Sequence, residues 1–174
     1  MSRPKLTVTL VGSEQDQGDL QLADFRKFCD SLTVCLRRVE SKFPAGATTR
    51  LKYRIVNLSR GSASLTLEPI PPAKGNDFGP DVIDLFSKTI AGLQAAKQVD
   101  PRLTNDDLLA FRALADPIHR HVREMKIGNT KVTSRFTANI DELLGMAIPS
   151  EGSVKGRLER LRSEERRVGK ECRL

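Results

Sequence analysis

Apolar and polar residues alternate near the start of the chain. Leu6, Val8 and Leu10 are separated by threonines, and this period of two predicts a β-strand over residues 5–11. A polar turn over 12–18 follows. Apolar positions at helical spacing then predict an amphipathic helix that ends before Pro44. Its stripe consists of Leu22, Phe25, Phe28, Cys29, Leu32, Leu36 and Val39.

Two more alternating runs predict a β-hairpin over residues 50–69. Each strand has one apolar face, formed by Leu51, Tyr53 and Ile55 in the first and by Ala63, Leu65 and Leu67 in the second. The connecting turn is predicted over 59–62, where Gly61 supplies a permissive backbone.

Helical spacing returns after the hairpin. Pro80 suits the first turn of a second helix. Thr104 and Asp107 resemble a capping box at the start of a third helix. Its stripe continues to Met125 although Pro117 interrupts it, so we expect either a new helix at Pro117 or a kink there, with Gly128 at the end.

The remaining pattern predicts a strand over 130–140, a short helical turn over 141–146 and another strand over 152–160. The order β-α-β-β-α-α-β, followed by a truncated strand, indicates an α+β fold. We expect a mostly antiparallel sheet with helices packed on one face.

The C-terminal tail differs from the rest of the chain in its origin. Residues 162–172 resemble the forward translation of a common sequencing-library adapter over eleven consecutive positions. The resemblance implies that the tail derives from a DNA reagent and that the natural sequence was interrupted near Leu161. We therefore expect an α+β domain over 1–150, the start of a truncated β segment over 151–161 and an artefact tail over 162–174.

Removing this tail changes the charge and the cysteine count. The chain carries a net charge of +7, and the tail holds five basic and three acidic residues, so the charge falls to +5 without it. Cys29 and Cys35 remain, six residues apart on one predicted helix, where they diverge and are expected to be small core residues. Free thiols and the lack of an apolar run of about 20 residues predict a cytoplasmic protein with no membrane segment.

No catalytic, cofactor or metal site is predicted. His119 and His121 diverge on the predicted helix and therefore do not suit one metal ion. Phosphate-binding glycine loops and nucleophile elbows are missing from the sequence. A thiolate nucleophile at Cys29 or Cys35 would need a nearby base, and the sequence does not place His119 beside either. An enzyme is not expected, although a site completed by the lost C-terminal segment stays open.

One surface pattern stands out on the predicted hairpin. Arg50, Lys52 and Arg54 alternate with the apolar residues and share the outward face, while Arg60 lies in the turn. With Ser64 and Thr66 on the neighbouring strand, this face predicts contacts with a nucleic-acid backbone. This face lacks aromatic residues for base stacking, which counts against single-stranded nucleic acid as the ligand. The competing interpretation is a solvated sheet face with no ligand.

The patterned core and the lack of a catalytic motif favour a non-enzymatic binding or regulatory module of bacterial type, truncated at its C-terminus. Its expected partner is an unidentified protein. The alternative is a nucleic-acid-binding protein that uses Arg50, Lys52, Arg54 and Arg60.

Overall fold

The computed structural model describes residues 3–13, 20–44, 50–59, 63–95, 98–119 and 122–145, without the side chains of 58, 59 and 119. In chain order, the elements are β1 (Leu6–Gly12), α1 (Leu22–Glu40), β2 (Lys52–Ser59), β3 (Ala63–Ile70), α2 (Gly79–Ala95), α3 (Asn105–Ala115), a 3₁₀ helix (Asp116–His119), β4 (Val122–Ile127), β5 (Thr130–Val132) and α4 (Ser134–Leu143). All of these elements fall within Met1–Leu144, the first of two units into which the chain divides. Apart from Gly145, the second unit, Gly145–Leu174, lies outside the described residues.

Within the described ranges, five strands form one antiparallel sheet in the order β2-β3-β1-β4-β5. β1 is central, and Val8 lies opposite Leu65 on β3 and Ile127 on β4. Alternate side chains of β1 are buried, as its period of two predicted. The predicted α+β class with a mostly antiparallel sheet is confirmed.

The helices cover the apolar face of this sheet. Each described α-helix contributes one fully buried phenylalanine to the core: Phe28, Phe86, Phe111 and Phe136. The rings of Phe86 and Phe111 lie 5.6 Å apart in a tilted arrangement, which joins α2 to α3. Burial of these rings against Leu, Ile and Val of the sheet ties the two layers together.

Local chemistry fixes the start of α3. Thr104 adopts an extended conformation, and its hydroxyl accepts a hydrogen bond from the backbone N–H of Asp107. The Asp107 carboxylate accepts in return from the backbone N–H of Thr104. The capping box predicted from the sequence is confirmed.

The prediction that helical structure continues beyond Pro117 as far as Gly128 is wrong. α3 ends at Ala115, Pro117 lies in the 3₁₀ helix, and Val122–Ile127 is strand β4. The register of β1 against β4 shifts between Val11 and Gly12. The buried residues of β4, Val122, Met125 and Ile127, are therefore spaced by three and then by two, and the first spacing resembles that of a helix. Gly128, with φ +57°, belongs to the turn between β4 and β5 and does not end a helix.

The predicted strand over 130–140 is correct only for Thr130–Val132. Thr133 then caps α4 by accepting a hydrogen bond from the backbone N–H of Arg135. Phe136, Asn139 and Ile140 are the buried residues of this helix and are spaced by three and one, which a helical period also fits. Leu143 ends α4 within the predicted helical turn over 141–146. The strand predicted over 152–160 and the tail over 162–174 lie outside the described residues.

In the described part of the chain, no helix has the length and apolar character needed to cross a membrane.

Candidate functional site

The predicted basic residues of the hairpin are exposed. Lys52 lies opposite Ile70, and Arg54 lies opposite Glu68, whose carboxylate accepts a hydrogen bond from the arginine at 3.2 Å. Arg50 precedes β2 and is also exposed. The structure thus brings Lys52 and Arg54 to one side of β2, while Arg60 lies outside the described residues.

The predicted apolar face of the first hairpin strand lies on the side of α1, where Leu51, Tyr53 and Ile55 line one groove, but the three side chains are buried to different extents. Leu51 is buried, but Ile55 is 59% exposed. The pairing register shifts between Ile55 and Asn57, and this bulge ends the simple alternation. β2 is also an edge strand, so one flank of Ile55 has no neighbouring strand within the described ranges.

Tyr53 points inward, as predicted. Its hydroxyl donates a 2.6 Å hydrogen bond to Oε1 of Glu40 at the end of α1. Glu40 is 3% exposed, so this contact satisfies a buried carboxylate. Burial raises the pKa of Tyr53, and the neighbouring Glu40 raises it further.

Hydroxyl groups line the sheet face opposite the helices, which we call the outer face. Thr7 and Thr66 lie 3.1 Å apart between their hydroxyl oxygens, and Thr9 and Ser64 lie 3.5 Å apart. Each pair joins β1 to β3 in register. Each hydroxyl keeps further donor or acceptor capacity for a ligand.

Sequence reasoning missed two cations of the outer face. Lys126 on β4 lies opposite Thr9, and Lys131 on β5 lies opposite Lys126. Lys126 was assigned to a helix and Lys131 to a longer strand, so the two were not placed side by side. The local signal that could have paired them is the Gly128-Asn129 turn, which is typical of a two-residue hairpin loop. The position of Lys126 beside Thr9 depends on long-range pairing of β1 with β4, which a residue pattern cannot report.

The carboxylates on the outer face have cationic partners. Glu68 pairs with Arg54, and Glu124 accepts a hydrogen bond from Lys131 at 2.9 Å. The Lys131 ammonium lowers the pKa of Glu124. Within the described ranges, neither Lys52 nor Lys126 forms a salt bridge, although Lys126 also lowers the pKa of Glu124. The described cations of the outer face, Lys52, Arg54, Lys126 and Lys131, outnumber its carboxylates, Glu68 and Glu124.

A basic depression of about 590 Å³ lies at one end of the hairpin. The cations Arg50, Lys52 and Lys74 line it, together with Ile70 at the end of β3 and residues 71–73 after it. No carboxylate of the described residues is part of this lining. Anions are therefore the ligands that this depression suits.

An inner groove of about 420 Å³ separates α1 from the hairpin. Leucines from both sides are the commonest residues of its lining: Leu32, Leu36, Leu51, Leu65 and Leu67. The other lining residues are Cys29, Thr33, Tyr53, Ile55, the buried Glu40, Arg37 and Lys52.

Neither described cysteine is an activated thiol. Burial raises the pKa of Cys35 to about 12, against a smaller lowering effect of Arg38. Burial also raises the pKa of Cys29, and Asp30 adds to the increase. Both side chains therefore stay protonated near neutral pH, which makes them poor nucleophiles.

The described residues contain no cluster of His, Cys, Asp or Glu suited to a metal ion. His119 ends the 3₁₀ helix rather than lying within an α-helix, and His121 lies outside the described residues.

No family model, curated protein or solved structure matches this chain. The outer face, the basic depression and the inner groove are therefore the features that bear on function.

Proposed function

We propose that this chain is a non-enzymatic binding module that binds an acidic partner protein on the outer face of its sheet. One observation carries this proposal. Four polar side chains form a row in register across β3, β1, β4 and β5, on the side opposite the helices: Ser64, Thr9, Lys126 and Lys131.

The charge of this row suits carboxylates of a partner. Glu68 pairs with Arg54 and Glu124 with Lys131, whereas Lys126 forms no salt bridge within the described ranges and adds only a weaker attraction to Glu124. Such exposed ion pairs add little to folding stability, but a cation outside a salt bridge guides association with an opposite charge. The neighbouring hydroxyls supply donors at fixed spacing along the same row.

The side-chain types on the outer face favour a protein partner over single-stranded nucleic acid. Nucleic-acid platforms of this kind stack bases on aromatic side chains. Tyr53 is the tyrosine of the chain, and it is turned toward Glu40 on the helical side. The raised pKa values of Cys29 and Cys35 support a binding role rather than thiol catalysis.

The test replaces the two lysines of the row, as Lys126→Glu with Lys131→Glu, and measures binding of fluorescent poly-L-glutamate by anisotropy. We expect the affinity of the double variant to fall by about tenfold or more, which is about 1.4 kcal/mol. The matched control is Lys88→Glu, an equally exposed lysine on α2 that pairs with Asp84. If the double variant and the control stay within about twofold of the unchanged protein, the proposal fails.

The basic depression favours a second candidate function, which is nucleic-acid binding through phosphate contacts. Arg50, Lys52 and Lys74 meet there without a carboxylate among the described lining residues. Each phosphate contact contributes about 0.9 to the slope of log affinity against log salt for duplex DNA. Changing Arg50 and Lys74 to Glu should reduce that slope by about 2. Equal retention of the double variant and the unchanged protein on duplex DNA and RNA would exclude this candidate.

A further inference from the structure

We propose that the inner groove binds a small molecule with an apolar body and an anionic head group. This site lies between α1 and the hairpin and shares Lys52 with the outer face. The proposal does not depend on an acidic partner protein. It rests on the volume, lining and charge of the groove.

The volume and lining of the groove suit an apolar body. Its volume of about 420 Å³ lies within the roughly 300–1,000 Å³ common for small-molecule sites. Leu36 on α1 and Leu67 on β3 are nearly buried and lie on opposite walls. Ile55, which is 59% exposed, also lines the groove. An apolar ligand would remove this isoleucine from water and fill the space between α1 and the hairpin.

The charged residues that line the groove select an anionic head group. Arg37 and Lys52 line it, both are exposed, and neither forms an ion pair within the described ranges. Glu40 is the acidic residue of the described lining. It is 3% exposed and already accepts a hydrogen bond from Tyr53, so it offers little to a cationic ligand. A carboxylate, sulfonate or phosphate beside Arg37 would gain a charge-assisted hydrogen bond.

The rate at which the Cys29 thiol is alkylated measures directly whether a ligand occupies the groove. It lines the groove and is partly exposed, whereas Cys35 is fully buried. A bound ligand would shield the Cys29 thiol from an alkylating reagent. The same ligand would raise the melting temperature because it binds the folded state.

The experiment uses the full chain with Cys172→Ser, so that Cys29 is the thiol followed, and decanoate as the probe below its micellar concentration. Iodoacetamide labelling of Cys29 and the melting temperature are both recorded. We expect saturating decanoate to slow labelling by about tenfold and to raise the melting temperature. Decan-1-ol should protect less because it lacks the charge, and acetate should not protect because it lacks the apolar body.

Substitution of the head-group contacts completes the test. Arg37→Gln with Lys52→Gln should weaken decanoate protection by about tenfold and leave decan-1-ol protection unchanged. Arg26→Gln, an exposed arginine on the same helix outside the groove lining, is the matched control. Equal or stronger protection by decyltrimethylammonium would overturn the anionic assignment. Absence of protection by decanoate would overturn the site.

Discussion

Asp107 connects the start of α3 to the end of α1. It is 1% exposed, and its Oδ2 accepts hydrogen bonds from the backbone N–H and the hydroxyl of Thr104 at 2.7 and 2.9 Å. The Lys42 ammonium lies 2.5 Å from the same oxygen, and Arg38 lies 3.6 Å from the other. Burial raises the pKa of Asp107, but the hydrogen bonds from Lys42 and Thr104 outweigh it and leave the pKa below its usual range.

We expect Asp107→Asn to lower the free energy of unfolding by about 2–3 kcal/mol, because it removes the charge that balances Lys42 in a buried setting. Urea denaturation measures this change. Asp84→Asn is the control, since Asp84 and Lys88 form an exposed i,i+4 pair on α2. Its effect should stay below about 0.5 kcal/mol. Equal effects of the two substitutions would show that Asp107 does not hold α1 against α3.

The lowered pKa of Asp107 also fixes the sign of a pH effect. The stability that it contributes is present above the unfolded pKa of about 3.9 and is lost as the pH falls through the lower folded pKa. The difference in unfolding free energy between the unchanged protein and Asp107→Asn should therefore narrow between about pH 5 and pH 2. A constant difference over that range would contradict this account of Asp107.

At the scale of elements, the sequence predicted those whose pattern is local and regular. The alternation of β1, the stripe of α1 and the three-residue spacing of Thr104 and Asp107 each depend on neighbours in the chain. β4 was missed because the register shift at Val11 and Gly12 disturbs its alternation. A bulge is set by the partner strand, so the sequence of β4 alone does not reveal it.

A cross-strand disulfide tests the corrected assignment of β4. Thr9 and Lys126 are register partners on the outer face, so Thr9→Cys with Lys126→Cys should form a disulfide in a Cys172→Ser background under mild oxidation. Lys131→Cys replaces Lys126→Cys in the control, because β5 lies beyond β4 at about 10 Å from β1. Non-reducing mass spectrometry identifies the linked peptides. Efficient linkage in the control, or none in the test pair, would contradict the pairing of β1 with β4.

At the scale of the whole molecule, the division into a helical side and an outer face determines which residues can meet a partner. The sequence predicted that Lys52 and Arg54 share a face, because alternation along one strand is local. It could not place Lys126 beside Thr9, because β1 and β4 are far apart in the sequence. Lys131 was not placed beside Lys126 because residues 118–126 were assigned to a helix, which hid the short β4–β5 hairpin. The groove between α1 and β2 was likewise beyond prediction, since it depends on how the helical layer meets the sheet edge.

The central claim is that the outer face, and not the helical side, binds an acidic partner. A titration of ¹⁵N-labelled protein with poly-L-glutamate, followed by amide chemical shifts, tests it most directly. We expect the largest shifts at Thr7, Thr9, Lys126 and Lys131, with α2 and α3 little affected. Shifts confined to the helices, or unchanged spectra at saturating poly-L-glutamate, would contradict the claim.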